Sequence, residues 1–195
     1  MKRHMRLALR AVCIVLVGAV GNRQLARAAE SKQPSPAASP APPAMTKEDM
    51  QAFLARPLIA RLATVRANDT PQVVPMWFLY EDGVMYMSTR TNAAKVKHLR
   101  ANPRVAVVVD VMEAPLKNKV VTLDGMAEVQ TTGVKEVTTK IYQKYMGKEG
   151  AATPAAQQSI NAPRVILKIT PKKIESMDTT HRGMAIGKRG KKAVE

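Results

Sequence analysis

Ile59-Ala60-Arg61-Leu62-Ala63-Thr64-Val65 is an apolar run broken by one cation. Its length and β-branched content read as a strand. Alternation then places Ile59, Arg61, Ala63 and Val65 on one face and Leu62 and Thr64 on the other. An arginine on such a face needs an anionic partner. Two internal acids, Asp110 and Asp124, and a ligand phosphate all meet that need.

The same pattern continues downstream. Ala67-Asn68-Asp69-Thr70-Pro71 is a turn, and Gln72 to Tyr80 is a second strand in which Pro75 argues for a sheet edge or a bulge. Glu81-Asp82-Gly83 then turns the chain into Val84 to Thr89, an Asp-Gly hairpin signal. Arg104 to Val111 contains the run Val105-Ala106-Val107-Val108-Val109 and reads as a buried strand. Val120 to Gln130 is another, with Gly125 marking a bulge or a close backbone approach. Val165 to Ile169 and Lys172 to Met177 complete the β segments.

Helices are short and few. Thr46 followed by Asp49 resembles an N-capping pattern, so a helix runs to about Ala55 and stops before Pro57. A second spans about Asn92 to Ala101, ended by Asn102-Pro103. Val134, Val137, Ile141 and Tyr145 have helical spacing within residues 133–146, and residues 147–162 read as a loop. Adjacent strands with few helices indicate a mainly β (α+β) fold, an antiparallel barrel or roll.

Charge separates the ends from the body. The 195 residues carry 31 Lys+Arg and 15 Asp+Glu, a net charge of +16. Residues 1–29 hold six basic residues and no acid, and Arg182, Lys188, Arg189, Lys191 and Lys192 form a basic tail. The body is only mildly basic, and aromatic residues are 4% of the chain. Nucleic-acid surfaces pair basic stripes with stacking aromatics, so no specific nucleic-acid partner is expected. Lys2, Arg3, Arg6 and Arg10, the apolar run Ala11 to Val20, and Ala26-Arg27-Ala28 together read as an export signal. The expected layout is a signal peptide over 1–29, a Pro/Ala/Ser-rich linker over 30–44, a folded domain over 45–178 and a basic tail over 179–195. Export to the periplasm or exterior follows; a start at Met45 instead leaves the protein in the cytoplasm. No apolar run reaches the roughly 18 residues of a membrane span, so no stable membrane insertion is expected.

Chemically reactive side chains are sparse. One Cys and three separated His give no metal site. No nucleophile elbow and no phosphate-binding glycine motif is present. His98, on the short helix, reads as a surface residue, and Trp77 as a packing residue. Such a chain borrows reactivity from a cofactor. Ser88-Thr89-Arg90-Thr91-Asn92-Ala93-Ala94-Lys95 ends a strand, turns and opens a helix. Its hydroxyls, free N–H groups and ammonium suit a phosphate, although a capped surface helix with a solvated Lys95 has the same pattern.

Taken in order, Arg61 to Val65, Pro71 to Gly83, Tyr86 to Thr89 and Lys95 to Val105 resemble the pyridoxamine 5'-phosphate oxidase-like proteins, the flavin-binding split β-barrels. Arg164 to Pro171 is similar to that family's closing strand. The resemblance implies a six-stranded antiparallel split barrel with short flanking helices, dimerising around two flavin sites. It implies that Arg61, Leu62, Ala63, Thr64 and Val65 line the ring and ribityl phosphate, that Ser88 and Thr89 approach the phosphate, and that Lys95 and Arg61 both pair with it. No catalytic side chain and no metal ligand is implied. FMN is the expected cofactor, with the deazaflavin coenzyme F-420 or haem as alternatives, and the expected partners are a small-molecule substrate and a second copy of the chain.

Ala93 and Ala94 stand where many relatives carry Ser or Thr followed by Arg, and Val120 where the vitamin-making oxidases carry a polar contact. Two phosphate contacts are thus absent, which points to weaker binding or a different flavin. The implied activity is a flavin-dependent oxidoreductase reducing small conjugated or aromatic compounds. A non-catalytic flavin, haem or tetrapyrrole binder and a basic interaction module with a decayed pocket are the rival readings.

Overall fold

The computed structural model describes residues 43–115 and 117–180. The expected export signal, most of the linker and most of the basic tail, with His181, lie outside the described residues. Helix α1 (Lys47–Ala55) begins as its cap dictates: the Thr46 hydroxyl accepts from the Asp49 N–H at 3.0 Å. It buries Phe53 and Leu54 and ends at Ala55, two residues before Pro57.

The strands are β1 (Ala60–Val65), β2 (Pro71–Met76), β3 (Leu79–Glu81), β4 (Val84–Arg90), β5 (Arg104–Ala114), β6 (Lys117–Gln130) and β7 (Arg164–Asp178). They form one sheet in the order β2-β1-β5-β6-β7-β4-β3, antiparallel at every junction. Pro75 lies on the edge strand β2, the place in a sheet where proline is tolerated. Asp82 and Gly83 take positive φ of 50° and 78°, the backbone a two-residue hairpin requires. Helices α2 (Ala94–Ala101), α3 (Val134–Ala152) and α4 (Pro154–Asn161) complete the fold.

Seven strands replace the expected six because the segment expected to run from Gln72 to Tyr80 is two strands. Trp77 and Phe78 leave the ladder and spend their bonding on α3. The Phe78 N–H donates to the Tyr145 hydroxyl at 3.1 Å, and its carbonyl accepts from Lys144 at 3.1 Å. Trp77 stacks on Tyr145 at 4.5 Å and meets Tyr142 edge-on at 5.3 Å. Trp77 is therefore a packing residue. The Lys144 ammonium also donates to the Leu54 carbonyl and lies 3.6 Å from the centre of the Phe78 ring. Burial pulls the Lys144 pKa down to about 8 and pushes Tyr145 up to about 12.

Three further expectations are corrected. Residues 147–162 are largely helical: α3 passes through a kink at Gly147 (φ 72°), and Pro154 opens α4 rather than ending a helix. Pro at a first helical position costs no hydrogen bond, and Ala156 and Ile160 bury the face of α4. Val165–Ile169 and Lys172–Met177 are one strand, β7, interrupted by a bulge opposite Asp124 and Gly125. In β5, Val105, Val107 and Val109 are buried while Ala106 is exposed, so this strand packs one face inward rather than two. Leu62, Phe78, Met87, Leu123, Leu167 and Ile169 fill the core.

Candidate functional site

On the outer face of the sheet, register places small residues side by side. Ala63 of β1 sits opposite Ala106 of β5, and Ala106 opposite Asp124 of β6. Burial in β1 alternates as expected: Leu62 and Thr64 face the core, while Arg61, Ala63 and Val65 face outward. Two neighbouring methyl side chains among larger residues leave a trough. It opens into a mostly apolar groove of about 370 Å³, walled by Val65, Pro71 and Met126, with Arg104 and Lys172 as its cations and Asp124 as its acid.

The bulge shapes this groove. Gly125 comes so close to β7 that an added Cβ lies 2.5 Å from the Thr170 carbonyl oxygen. Asp124 pairs with Lys173 and Gly125 with Pro171, so Lys172 has no partner in the ladder and turns onto the groove wall. Gly125 thus fulfils both meanings expected of it.

Behind the groove the buried Thr64 meets α2. Its hydroxyl lies 3.2 Å from His98 Nδ1. His98 is half-buried between strand and helix rather than a simple surface residue. It lines a second cavity of about 410 Å³ with Arg66 and Lys97. A third, of about 450 Å³, adjoins both and is lined by Arg66, Asp69, Asn102 and Arg104.

The other expected residues are distributed differently. Arg61 is exposed and ion-pairs with Asp110 on β5, one of its two candidate acids. Leu62 is fully buried in the core, away from the groove. Lys95 donates to the buried Thr89 at 3.3 Å, and burial lowers its pKa. Ser88 points to the opposite face of β4, where it meets Thr138 at 2.8 Å and accepts from Arg164 Nε at 2.8 Å. The structure thus gathers Ala63, Thr64 and Val65 at one groove and joins Thr89 to Lys95. Arg61 and Lys95 each have a separate protein partner.

Sequence reasoning did not single out Arg104, Ala106, Met126 or Lys172 as site residues. One signal was visible: Ala106 is the only small residue in the run Val105 to Val109. Lys172 gave none, because a bulge opposite Gly125 depends on which strand pairs with it.

A flat apolar floor suits a planar ring system, and cations at the rim suit negative charge attached to it. The residues present therefore fit a flavin-type group. An antiparallel sheet of this order, flanked by short helices, is a split β-barrel. The model of the family described as pyridoxamine 5'-phosphate oxidase matches residues 46–178, and the chain belongs to that family.

Among solved structures, an F420 reductase is 31% identical, covering 64% of this chain and 94% of its own with a TM-score of 0.53. A conserved hypothetical protein from Mycobacterium tuberculosis shares 23% identity over 69% of this chain and 86% of its own, with a TM-score of 0.62. The haem storage protein HutZ from Vibrio cholerae shares 16% identity over 69% of this chain and 98% of its own, with a TM-score of 0.54. The last two show the fold alone. Among curated proteins none matches the chain.

Proposed function

We propose that this protein is an oxidoreductase that binds a flavin or deazaflavin in the groove over Ala63 and Ala106. The trough formed by that alanine pair carries the reading, because it is apolar and bordered by Arg104 and Lys172, neither of which is ion-paired among the described residues. Likeness to an F420 reductase at 31% identity supports a deazaflavin as strongly as FMN. When bound, such a group supplies hydride transfer to or from a small conjugated or aromatic substrate.

The chain's own residues position and tune. Val65, Pro71 and Met126 exclude water from the floor. Arg104 and Lys172 place positive charge at the rim, where they favour electron-rich states of whatever lies there. Thr64 and His98 hold a proton between hydroxyl oxygen and Nδ1 directly behind the floor. Lys95, with Thr89, is the proposed partner of a phosphate on that group. The proposal includes a homodimer, supported by apolar residues left open on the sheet: Val73 is 60% exposed and Met112 69%. It also includes export, which mass spectrometry of the mature N-terminus tests.

The test of function is the visible spectrum after incubation with FMN or coenzyme F-420 and gel filtration. The account expects a retained flavin-type band that a reductant bleaches and an acceptor restores. A protein that retains neither compound, or that carries only a haem band, contradicts it.

A further inference from the structure

The three cavities form one path. The groove and the middle cavity share Val65 and Arg104; the middle cavity and the one on the flank of α2 share Arg66, Ala67 and Ala101. Lys172, Arg104, Arg66 and Lys97 lie along it, against two carboxylates, Asp124 and Asp69. None of these four cations is ion-paired among the described residues, whereas Arg56, Arg61 and Lys119 each hold a carboxylate. Among the described residues, the Arg104 and Arg66 side chains donate only to the neutral Asn102 and Thr70. Lys95 lines none of the three cavities.

Unpaired cations strung along a groove attract an extended anion, not a point charge. Resting on the flavin-type reading of the groove, we propose that the cofactor's tail runs from the Ala63–Ala106 trough past Arg104 and Arg66 to Lys97 on α2. That tail carries at least one further negative charge beyond the first phosphate. A dinucleotide pyrophosphate and an acidic peptide-like tail share this chemistry, and FMN lacks it.

Titrating ring-fluorescence changes with riboflavin, FMN, FAD and coenzyme F-420 tests this. Riboflavin reads the trough, the gain of FMN over riboflavin reads the first phosphate, and the gain of FAD or F-420 over FMN reads the path. Native protein is expected to bind FAD or F-420 at least about ten-fold tighter than FMN, the effect of one charge-assisted hydrogen bond. Which of the two gains identifies the tail. The double variant R66Q/K97Q, altering exposed side chains, is expected to abolish that gain and leave riboflavin unchanged. Riboflavin binding with equal affinities for FMN, FAD and F-420 overturns the tail path and leaves the trough standing. An R66Q/K97Q loss that is equal for riboflavin also overturns it. Absence of binding by all four ligands overturns the trough and the path together.

Discussion

Gly125 and Thr170 touch backbone to backbone: a Cβ on the glycine lies 2.5 Å from the threonine carbonyl oxygen. The two strands meet there at the bulge that turns Lys172 onto the groove. Gly125→Ala must push β6 and β7 apart, which costs about 2 kcal/mol by the usual scale of overpacking. The urea midpoint is expected to fall accordingly, and riboflavin binding with it. An unchanged midpoint contradicts the close approach.

The Lys144 and Tyr145 pair sets a pH dependence of stability with two opposing limbs. Burial lowers the lysine to about 8 in the fold, so the unfolded chain binds more protons between that value and the ordinary 10.5. Stability therefore rises with pH across that interval. Tyr145 is raised to about 12, so the unfolded chain loses its proton first and stability falls above pH 10. Urea midpoints from pH 7 to 11 are expected to rise from about pH 8 and to peak just above pH 10, where the two limbs cancel. Lys144→Met is expected to flatten the rising limb; a rise that persists assigns it to another group, such as Lys95.

Tyr145→Phe keeps the ring stacked on Trp77 but strands the Phe78 N–H and the Leu58 carbonyl, both bonded to its hydroxyl. Leaving such groups unpaired costs about 1–3 kcal/mol. Tyr142→Phe, which loses a hydroxyl that makes no hydrogen bond among the described residues, is expected to stay within about 0.5 kcal/mol of native. Chemical denaturation of both variants compares them directly, and equal losses contradict the assigned latch.

Arg61 and Asp110 form an exposed pair, worth at most about 1 kcal/mol to the fold. The family resemblance gives Arg61 to a phosphate, and here the carboxylate holds it. Asp110→Asn is expected to leave stability nearly unchanged and to tighten FMN relative to riboflavin. Looser FMN binding contradicts a role for Arg61 at the phosphate.

Local chemistry was readable in the chain; pairing was not. Thr46 capped its helix and Asp82-Gly83 turned its hairpin because both act within four residues. Arg61, Ala63 and Val65 shared a face because alternation is intrinsic to a strand. Residues 147–162 misled because Gly147 and Pro154 punctuate helices there instead of excluding them. Trp77-Phe78 broke a strand through bonds to Lys144 and Tyr145, more than 60 residues away. The groove depended on register in the same way: Ala106 and Lys172 become site residues only when β5 lies beside β1 and β7 bulges against β6. Sequence proximity suggested one phosphate site from Ser88 and Thr89, which in fact face opposite sides of β4.

The central claim is that a flavin-type ring rests on the Ala63–Ala106 floor. Ala106 is exposed on the outer face, so Ala106→Leu fills the trough while leaving the core untouched. Riboflavin titration of native protein and this variant, with urea midpoints as the control, measures the floor alone. The account predicts riboflavin affinity weaker by about ten-fold or more in the variant, with midpoints that agree within about 0.5 kcal/mol. Equal riboflavin affinity in the two folded proteins contradicts it.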